Sequence, residues 1–242
     1  MTFRSNSFDF VAKKDTISTQ EDIKRDEEII GFTVPELYFG NNSFSVKCEN
    51  FELSFNAVGA LLTVDKKVNF KVKNEWTESK YAVQAIKPFD WTYLAFYRGK
   101  ITGNHVITFD DKQNNTFLPI ERLSREDPIL YFDKIDLFED EFSDNGKSHL
   151  DIKCRCMSYG WFILLRQFIR IDHVIYIMRD TRIFHEYGTD EILREFIHKE
   201  IHWDEIGKLV EDISEYVPYP QNIVQDGVPG NFVIQERIKM LK

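Results

Sequence analysis

The run FILLRQFIRI, Phe162–Ile171, limits the folds open to this chain more than any other stretch. Read as an extended strand, it sets Phe162, Leu164 and Phe168 on one face with Arg166 and Arg170. Ile163, Leu165, Ile169 and Ile171 take the other face with Gln167. Both faces are largely apolar, so the strand is expected at the centre of a sheet, covered on both sides. Gln167 then needs a hydrogen-bond partner in the interior. The residues IDHV allow a tight hairpin. After it, Ile175, Ile177, Thr181 and Ile183 alternate with Tyr176, Met178, Asp180, Arg182 and Phe184. Upstream, from Leu137, the chain reads as a strand, a DNG turn and a further strand.

Other segments fit the same sheet-rich plan. In FELSFN, Phe51, Leu53 and Phe55 face one way and Glu52, Ser54 and Asn56 the other, a half-buried strand. Val68–Val72, Trp91–Tyr97 and His105–Phe109 are further strand candidates. Ser18 or Thr19 caps a short helix over QEDIKRDEEII, with acids in its first turn. Pro119 opens a second helical turn with Ile120 and Leu123 three apart. From Thr189 the spacing of Ile192, Leu193, Phe196, Ile197 and Ile201 predicts a helix. Ile206, Leu209, Val210 and Ile213 predict a second, stopped by Pro218 and Pro220. The tail GVPGNFVIQERIKMLK can return as a short strand. The expected architecture is α+β, mainly an antiparallel β-sheet meander with helices packed on it. One domain spans 1–242, with 1–15 and 222–242 as peripheral arms.

Composition excludes some classes. Apolar residues make up 43% of 242, enough for a large core and too many for a disordered chain. The net charge is −9, and no basic patch of the kind that binds nucleic acid stands out. The longest strong apolar run, WFILL, is far too short to span a membrane. The first 15 residues lack the apolar stretch of a signal peptide. Three cysteines, Cys48, Cys154 and Cys156, make no disulfide framework and no zinc tetrad. They read as reduced, packed thiols of a cytoplasmic protein, with the nucleus as a second address.

Motifs for chemistry are missing. There is no GxGxxG, no P-loop and no GxSxG elbow. His198 and His202 are four apart in HKEIH, which is not HExxH and has no obvious third ligand. The acids of DLFEDEFSDNG are interrupted by Leu137, Phe138 and Phe142, unlike a calcium loop. No cofactor is expected. Asp172, Asp180 and Glu186 could include a general acid–base pair, and a hydrolase using Asp172 and Asp180 stays open. Arg166, Arg170, Arg179 and Arg182 crowd the same hairpin, which suits an ion-pair lattice better. Met178 reads equally as an adaptable contact or as core filling. Asp180 accepts a bond from a partner or pairs with Arg166 or Arg182. Arg182 either receives the carboxylate of a peptide tail or anchors Asp180. His185 and Glu186 end the strand and are candidates to line a groove.

Several separated stretches carry a family likeness. They are VPELYFGNN, IKPFDWTY, LFEDEF, ILLRQFIRIDH, MRDTRIFHE and ILREF, in one order over roughly residues 30–220. The chain resembles the TIP41-like family, regulators of type 2A protein phosphatases linked to TOR signalling. The resemblance implies a non-catalytic protein that binds a type 2A-like phosphatase catalytic subunit, chiefly its C-terminal tail, and modulates its activity or assembly. A phosphatase adaptor is a further implied partner; nucleic acid and membrane are not. By motif, the contact residues implied are Met178 and Asp180, with Leu118 near the start of the second helical turn. Where members read FNATDAL this chain reads FNAVGAL, so Gly59 stands in the place of an acid. That departure implies an altered affinity or partner choice. A general peptide-binding scaffold is the remaining alternative.

Overall fold

The computed structural model describes residues 1–65, 93–110, 117–141, 146–171, 174–203, 205 and 231–241. Within them the fold is α+β, built on two antiparallel sheets. The smaller sheet has five strands: β1 (Thr2–Ser5), β2 (Phe8–Lys13), β4 (Ser43–Cys48), β5 (Phe51–Asn56) and β6 (Lys100–Gly103), in that spatial order. The larger has eight: β3 (Leu37–Tyr38), β8 (Tyr131–Asp140), β9 (Gly146–Met157), β10 (Gly160–Ile171), β11 (Ile175–Glu186), β12 (Glu191–His202), β13 (Phe232–Met240) and β7 (His105–Phe109). The strands from β8 to β12 are a meander in which each strand pairs with the next.

The alternation in the sequence explains why the sheets stack. Phe8, Phe10, Phe44, Val46, Leu53 and Phe55 project from the small sheet into one core with Ile135, Ile152, Trp161, Ile163, Leu165 and Ile183 of the large one. Trp161 is fully buried and meets Phe8 and Phe10 edge-on, with ring centroids 5.7 and 6.1 Å apart. Such edge contacts add to the burial of a large apolar area. Cys154 and Cys156 point the same way, as a CxC on a strand must, and are buried in this core. Burial pushes the Cys154 thiol well above its usual range.

Three helices among the described residues pack on the sheets. α1 (Gln20–Ile30) starts at Thr19, whose hydroxyl accepts the Asp22 N–H. It ends at Gly31, which adopts φ 79° and donates to Glu27 O. That left-handed stop favours glycine. α2 (Ala57–Leu61) is capped by Asn56, and α3 (Ile120–Leu123) follows Pro119.

Two expectations change. Residues 191–202 are the strand β12, not a helix. Apolar residues on both faces of a buried strand imitate helical spacing: Ile192 and Phe196 lie on one face, Leu193, Ile197 and Ile201 on the other. The second predicted helix, from Ile206, lies outside the described residues, as do Val68–Val72 and the first two residues of the DNG turn. Where the two ends are described, they belong to the sheets. Phe8 and Phe10 of β2 are core residues, and β13 sits between β12 and β7.

Of the strand expected over Trp91–Tyr97, residues 93–97 are described, and with Arg98 they form a segment that is no strand. It makes one isolated bridge, Val64 with Ala95, and five more of its backbone groups are met by side chains of the large sheet. Gln167 accepts the Ala95 N–H at 3.0 Å and donates to Tyr93 O at 2.6 Å. Arg179 donates to Ala95 O, Thr181 to Tyr97 O and Arg194 to Arg98 O. So the interior polar residue of β10 finds both of its partners. Gln167→Leu is expected to strand a buried N–H and a buried C=O, lowering stability by about 2–4 kcal/mol in chemical denaturation.

Candidate partner-binding surface

β10 and β11 pair over their whole length, from Gly160 opposite Glu186 to Ile171 opposite Ile175. Their odd-numbered residues face the small sheet, and their even-numbered residues face away from it. On that far face Arg166 stands opposite Asp180 on one side and Asp151 of β9 on the other. Arg182 stands opposite Glu195 of β12, and Glu195 opposite Gln235 of β13. The register therefore draws a polar stripe across five strands.

The centre of the stripe is a bidentate pair. Arg166 Nε and Nη2 donate to Asp180 Oδ1 and Oδ2, each at 2.7 Å. Arg182 Nη2 adds a longer contact to Oδ2 at 3.4 Å and reaches towards Glu195 at 3.8 Å. Gln235 donates to Glu195 at 2.9 Å. Lys134 and Lys153 lie 3.6 and 3.9 Å from Asp151. Asp180 exposes no surface, while Arg166 and Arg182 keep 20% and 30% of their side chains exposed. The Asp180 hydrogen bond holds the Arg166 guanidinium above its ordinary value against the opposing effect of burial. A carboxylate gripped in this way is a fixed anchor for the guanidinium groups around it. Asp172 lies outside the described residues, so the suggested Asp172–Asp180 pair has no geometry to judge.

Met178 shares this face and is buried, flanked in register by Phe168 and Lys199. Leu118 is buried against the same face, towards the Phe184 end. It packs with Phe117, Leu123, Met157 and Phe184 beneath α3. α3 is held down by Arg122, which bonds Glu186 at 2.6 Å and lies over the Tyr159 ring. Arg155 donates to Leu123 O at 2.7 Å. Four of the six candidates thus lie on one face.

The other two do not. His185 has the parity of Ile183 and points inwards, against Phe8 and Trp161, so it cannot line a far-face groove beside Glu186. Burial lowers its imidazole from the ordinary value of 6.5. Gly59 lies in α2, where its N–H donates to the Asn56 cap. A Cβ on Gly59 would come 2.7 Å from the Tyr97 hydroxyl. That hydroxyl accepts the Asn56 N–H, so it has its own reason to stay. The space that a side chain at position 59 would take is filled by the Tyr97 phenol.

The histidine pair of HKEIH is also accounted for in part. His198 Nδ1 accepts from Arg179 Nε, and its Nε2 donates to Glu200 at 3.0 Å. The bond from His198 holds Glu200 below the usual carboxylate range, and burial pushes Arg179 down to about 10. Among the described residues no group of three His, Cys, Asp or Glu could hold a metal ion. Nor is any described helix long and apolar enough to cross a membrane. Sequence reading saw the arginine crowding but missed Asp151, Glu195 and Gln235. Their membership depends on cross-strand register, which no local pattern encodes.

Two outcomes test this account. Arg166→Met is expected to leave Asp180 charged and buried, costing about 3–5 kcal/mol, with much of it recovered in Arg166→Met/Asp180→Leu. Thermal and denaturant unfolding would show both. For pH, His149 and His185 are each lowered by burial from 6.5. Between the two values the unfolded chain binds more protons, so stability is complete above about 6.5 and falls as pH drops through the lowered folded values. His185→Gln should flatten that part of a stability–pH curve.

Comparison with known sequences adds a family. A model of the TIP41-like family matches residues 37–207. A TIP41-like protein of Rattus norvegicus is 31% identical over 262 positions, covering 98% of this chain and 93% of the relative. One from Dictyostelium discoideum is 32% identical, covering 93% and 84%. The type 2A phosphatase activator TIP41 of Saccharomyces cerevisiae is 33% identical over 208 positions, covering 76% and 58%.

Proposed function

The chain belongs to the TIP41-like family, and on that premise we propose that it regulates type 2A-like serine/threonine phosphatases by binding their catalytic subunit. The carrying observation is the likeness to proteins named as type 2A phosphatase activators, in budding yeast and in Schizosaccharomyces pombe. The chain acts by contact and supplies no covalent chemistry. Its setting is TOR signalling in the cytoplasm, and an adaptor can join the complex.

The far face of β10–β12 supports a mode of contact. An extended polypeptide such as the phosphatase C-terminal tail lies across the polar stripe. Arg182 and Arg166 present the exposed edges of their guanidinium groups to it, and a planar fork suits a terminal carboxylate. Asp180 has no exposed surface of its own, so its part is to aim the two arginines. Met178 and Leu118 give the face its apolar body. The absence of an acid at Gly59 removes one contact and shifts the preference among phosphatases.

The test is binding of the purified chain to a recombinant type 2A catalytic subunit, with and without its last residues. Wild type is expected to bind the intact subunit and to lose affinity for the truncated one. Arg182→Gln should weaken binding about tenfold or more, as loss of a paired interfacial charge does. Asp180→Asn should weaken it less. Gly59→Asp in a Tyr97→Phe background, which clears the space, should strengthen it. No binding by wild type would overturn the function, and equal affinity for intact and truncated subunits would overturn the tail.

A further inference from the structure

The large sheet ends on one side at β7 (His105–Phe109), which pairs with β13 and with no other strand. The register shows which of its backbone groups are used. Asp110 N–H donates to Gln235 O and Leu241 N–H to Asn104 O, each at 2.9 Å. Both bonds belong to one ladder, in which Val106 stands opposite Lys239 and Thr108 opposite Arg237. Hydrogen-bonded pairs recur at every second residue of an antiparallel ladder, so the even-numbered residues of 104–110 turn their N–H and C=O towards β13. The odd-numbered ones, His105, Ile107 and Phe109, turn theirs away from the sheet. Those outward groups have no partner among the described residues.

The side chains leave this edge open as well. Val106 and Phe109 are 47% and 64% exposed, and Ile107 between them packs on the core. The strand reads HVITF and holds no Asp, Glu, Lys or Arg. Sheet edges are commonly guarded by charge, by shortness or by a cover. The other edges of this fold are guarded in those ways. β1 carries Arg4 and β6 carries Lys100. β3 has two residues, and β8 behind it bears Asp133, Lys134 and Asp136. There the Lys134 N–H is taken by the Asp133 side chain, and Asp136 O by the side chain of Asn42. Among the described edge strands β7 alone combines five residues, a bare backbone and no charge.

We propose that β7 pairs with β7 of a second copy of this chain, antiparallel about Ile107, in a two-fold dimer. Strand parity selects that centre. An axis falling between two residues would set outward backbone groups against inward ones. An axis at Ile107 sets Ile107 against its own copy, and His105 against Phe109 of the second copy. Outward residues then meet outward residues, and each gives and takes a backbone bond. All five residues of the strand are used. The His105 and Phe109 rings meet on one face and Val106 meets Thr108 on the other, aromatic and β-branched pairs that favour a ladder. No like charges stand opposite each other. This self-match of parity and charge makes a second copy the occupant, ahead of a strand from another protein. The eight-stranded sheet becomes one sheet running through both copies. The net charge of −9 on each copy opposes association, and the edge offers no charge to attract. Salt therefore strengthens the dimer by screening that repulsion, the reverse of a contact built on ion pairs. The contact needs no phosphatase.

The test is sedimentation equilibrium of the full chain from micromolar to near-millimolar concentration. The weight-average mass is expected to rise from 28.7 kDa towards twice that value, and to rise further with added salt. Hydrogen exchange at high concentration should slow at the His105, Ile107 and Phe109 amides. It should leave Val106 and Thr108, already bonded to β13, unchanged. His105→Lys/Phe109→Lys sets lysine against lysine at both ends of the pairing and should weaken the dimer about tenfold or more. His105→Glu/Phe109→Lys sets opposite charges there and should restore it. Phe109→Pro removes one outward N–H, leaves the bonds to β13 in place and should weaken the dimer likewise, which keeps the question answerable if the double lysine variant does not fold. The proposal is overturned if wild type stays monomeric at every concentration and salt, or if the lysine and proline variants associate as wild type does. It is equally overturned if the newly protected amides are the even-numbered ones, or if the glutamate–lysine variant is as weak as the double lysine.

Discussion

β10 and β11 hold an unbroken antiparallel register of twelve pairs, and each is flanked on its other side by a long strand. A strand in that position has no edge open to solvent. Every residue must then suit one of two different environments, and a shift of one residue would exchange them all. Inwards, Ile163, Leu165 and Ile183 meet the small sheet, and Trp161 anchors the centre. Outwards, Arg166, Asp180 and Arg182 meet one another across the strands. A slipped register would bury arginines among Phe10, Phe55 and Ile152. The charged stripe therefore helps to define one pairing, in addition to whatever it does for a partner.

This two-sidedness decides how far the sequence could be read. The faces of β5, β10 and β11 were legible because polar residues break their alternation at telling places. Gln167 and Thr181 announce an interior polar requirement, and the structure meets it with the backbone of 93–98. β12 was illegible as a strand because both of its faces carry isoleucine, leucine or phenylalanine. A doubly buried strand and an amphipathic helix then give the same spacing. The position of His185 was legible from parity alone, as it falls in step with Ile183. Its expected place beside Glu186 in a groove came from nearness in sequence, which on a strand means opposite faces.

Parts of the candidate surface lay beyond any local pattern. Asp151, Glu195 and Gln235 join the stripe only because strands far apart in the chain align at one level. Leu118 joins it because α3 folds over the Phe184 end, fixed by Arg122, Tyr159 and Arg155. Gly59 belongs to another part of the molecule. A contact list drawn from motifs alone thus joins residues that the fold separates, and the geometry sorts them into a face and its absentees.

The two faces of β10 and β11 are not independent. Gln167 lies between Arg166 and Phe168, and Arg179 and Thr181 flank Asp180 along the strand. The inner three residues hold the backbone of 93–98, and the outer ones carry the arginine–aspartate pair. A displacement of either layer is transmitted through one peptide unit to the other, since a closely packed interior yields little. Arg179 extends the link sideways to His198 and Glu200 of β12. A load on Arg166 and Arg182 therefore pushes against a strand pair braced from behind by four side-chain bonds to one segment. In the proposed mode of contact, that bracing holds the outer arginines in a fixed geometry, which lowers the ordering cost of recognition. The buried carboxylate, costly as an isolated charge, is tolerated because the same frame holds both of its oxygens in bonds to arginine.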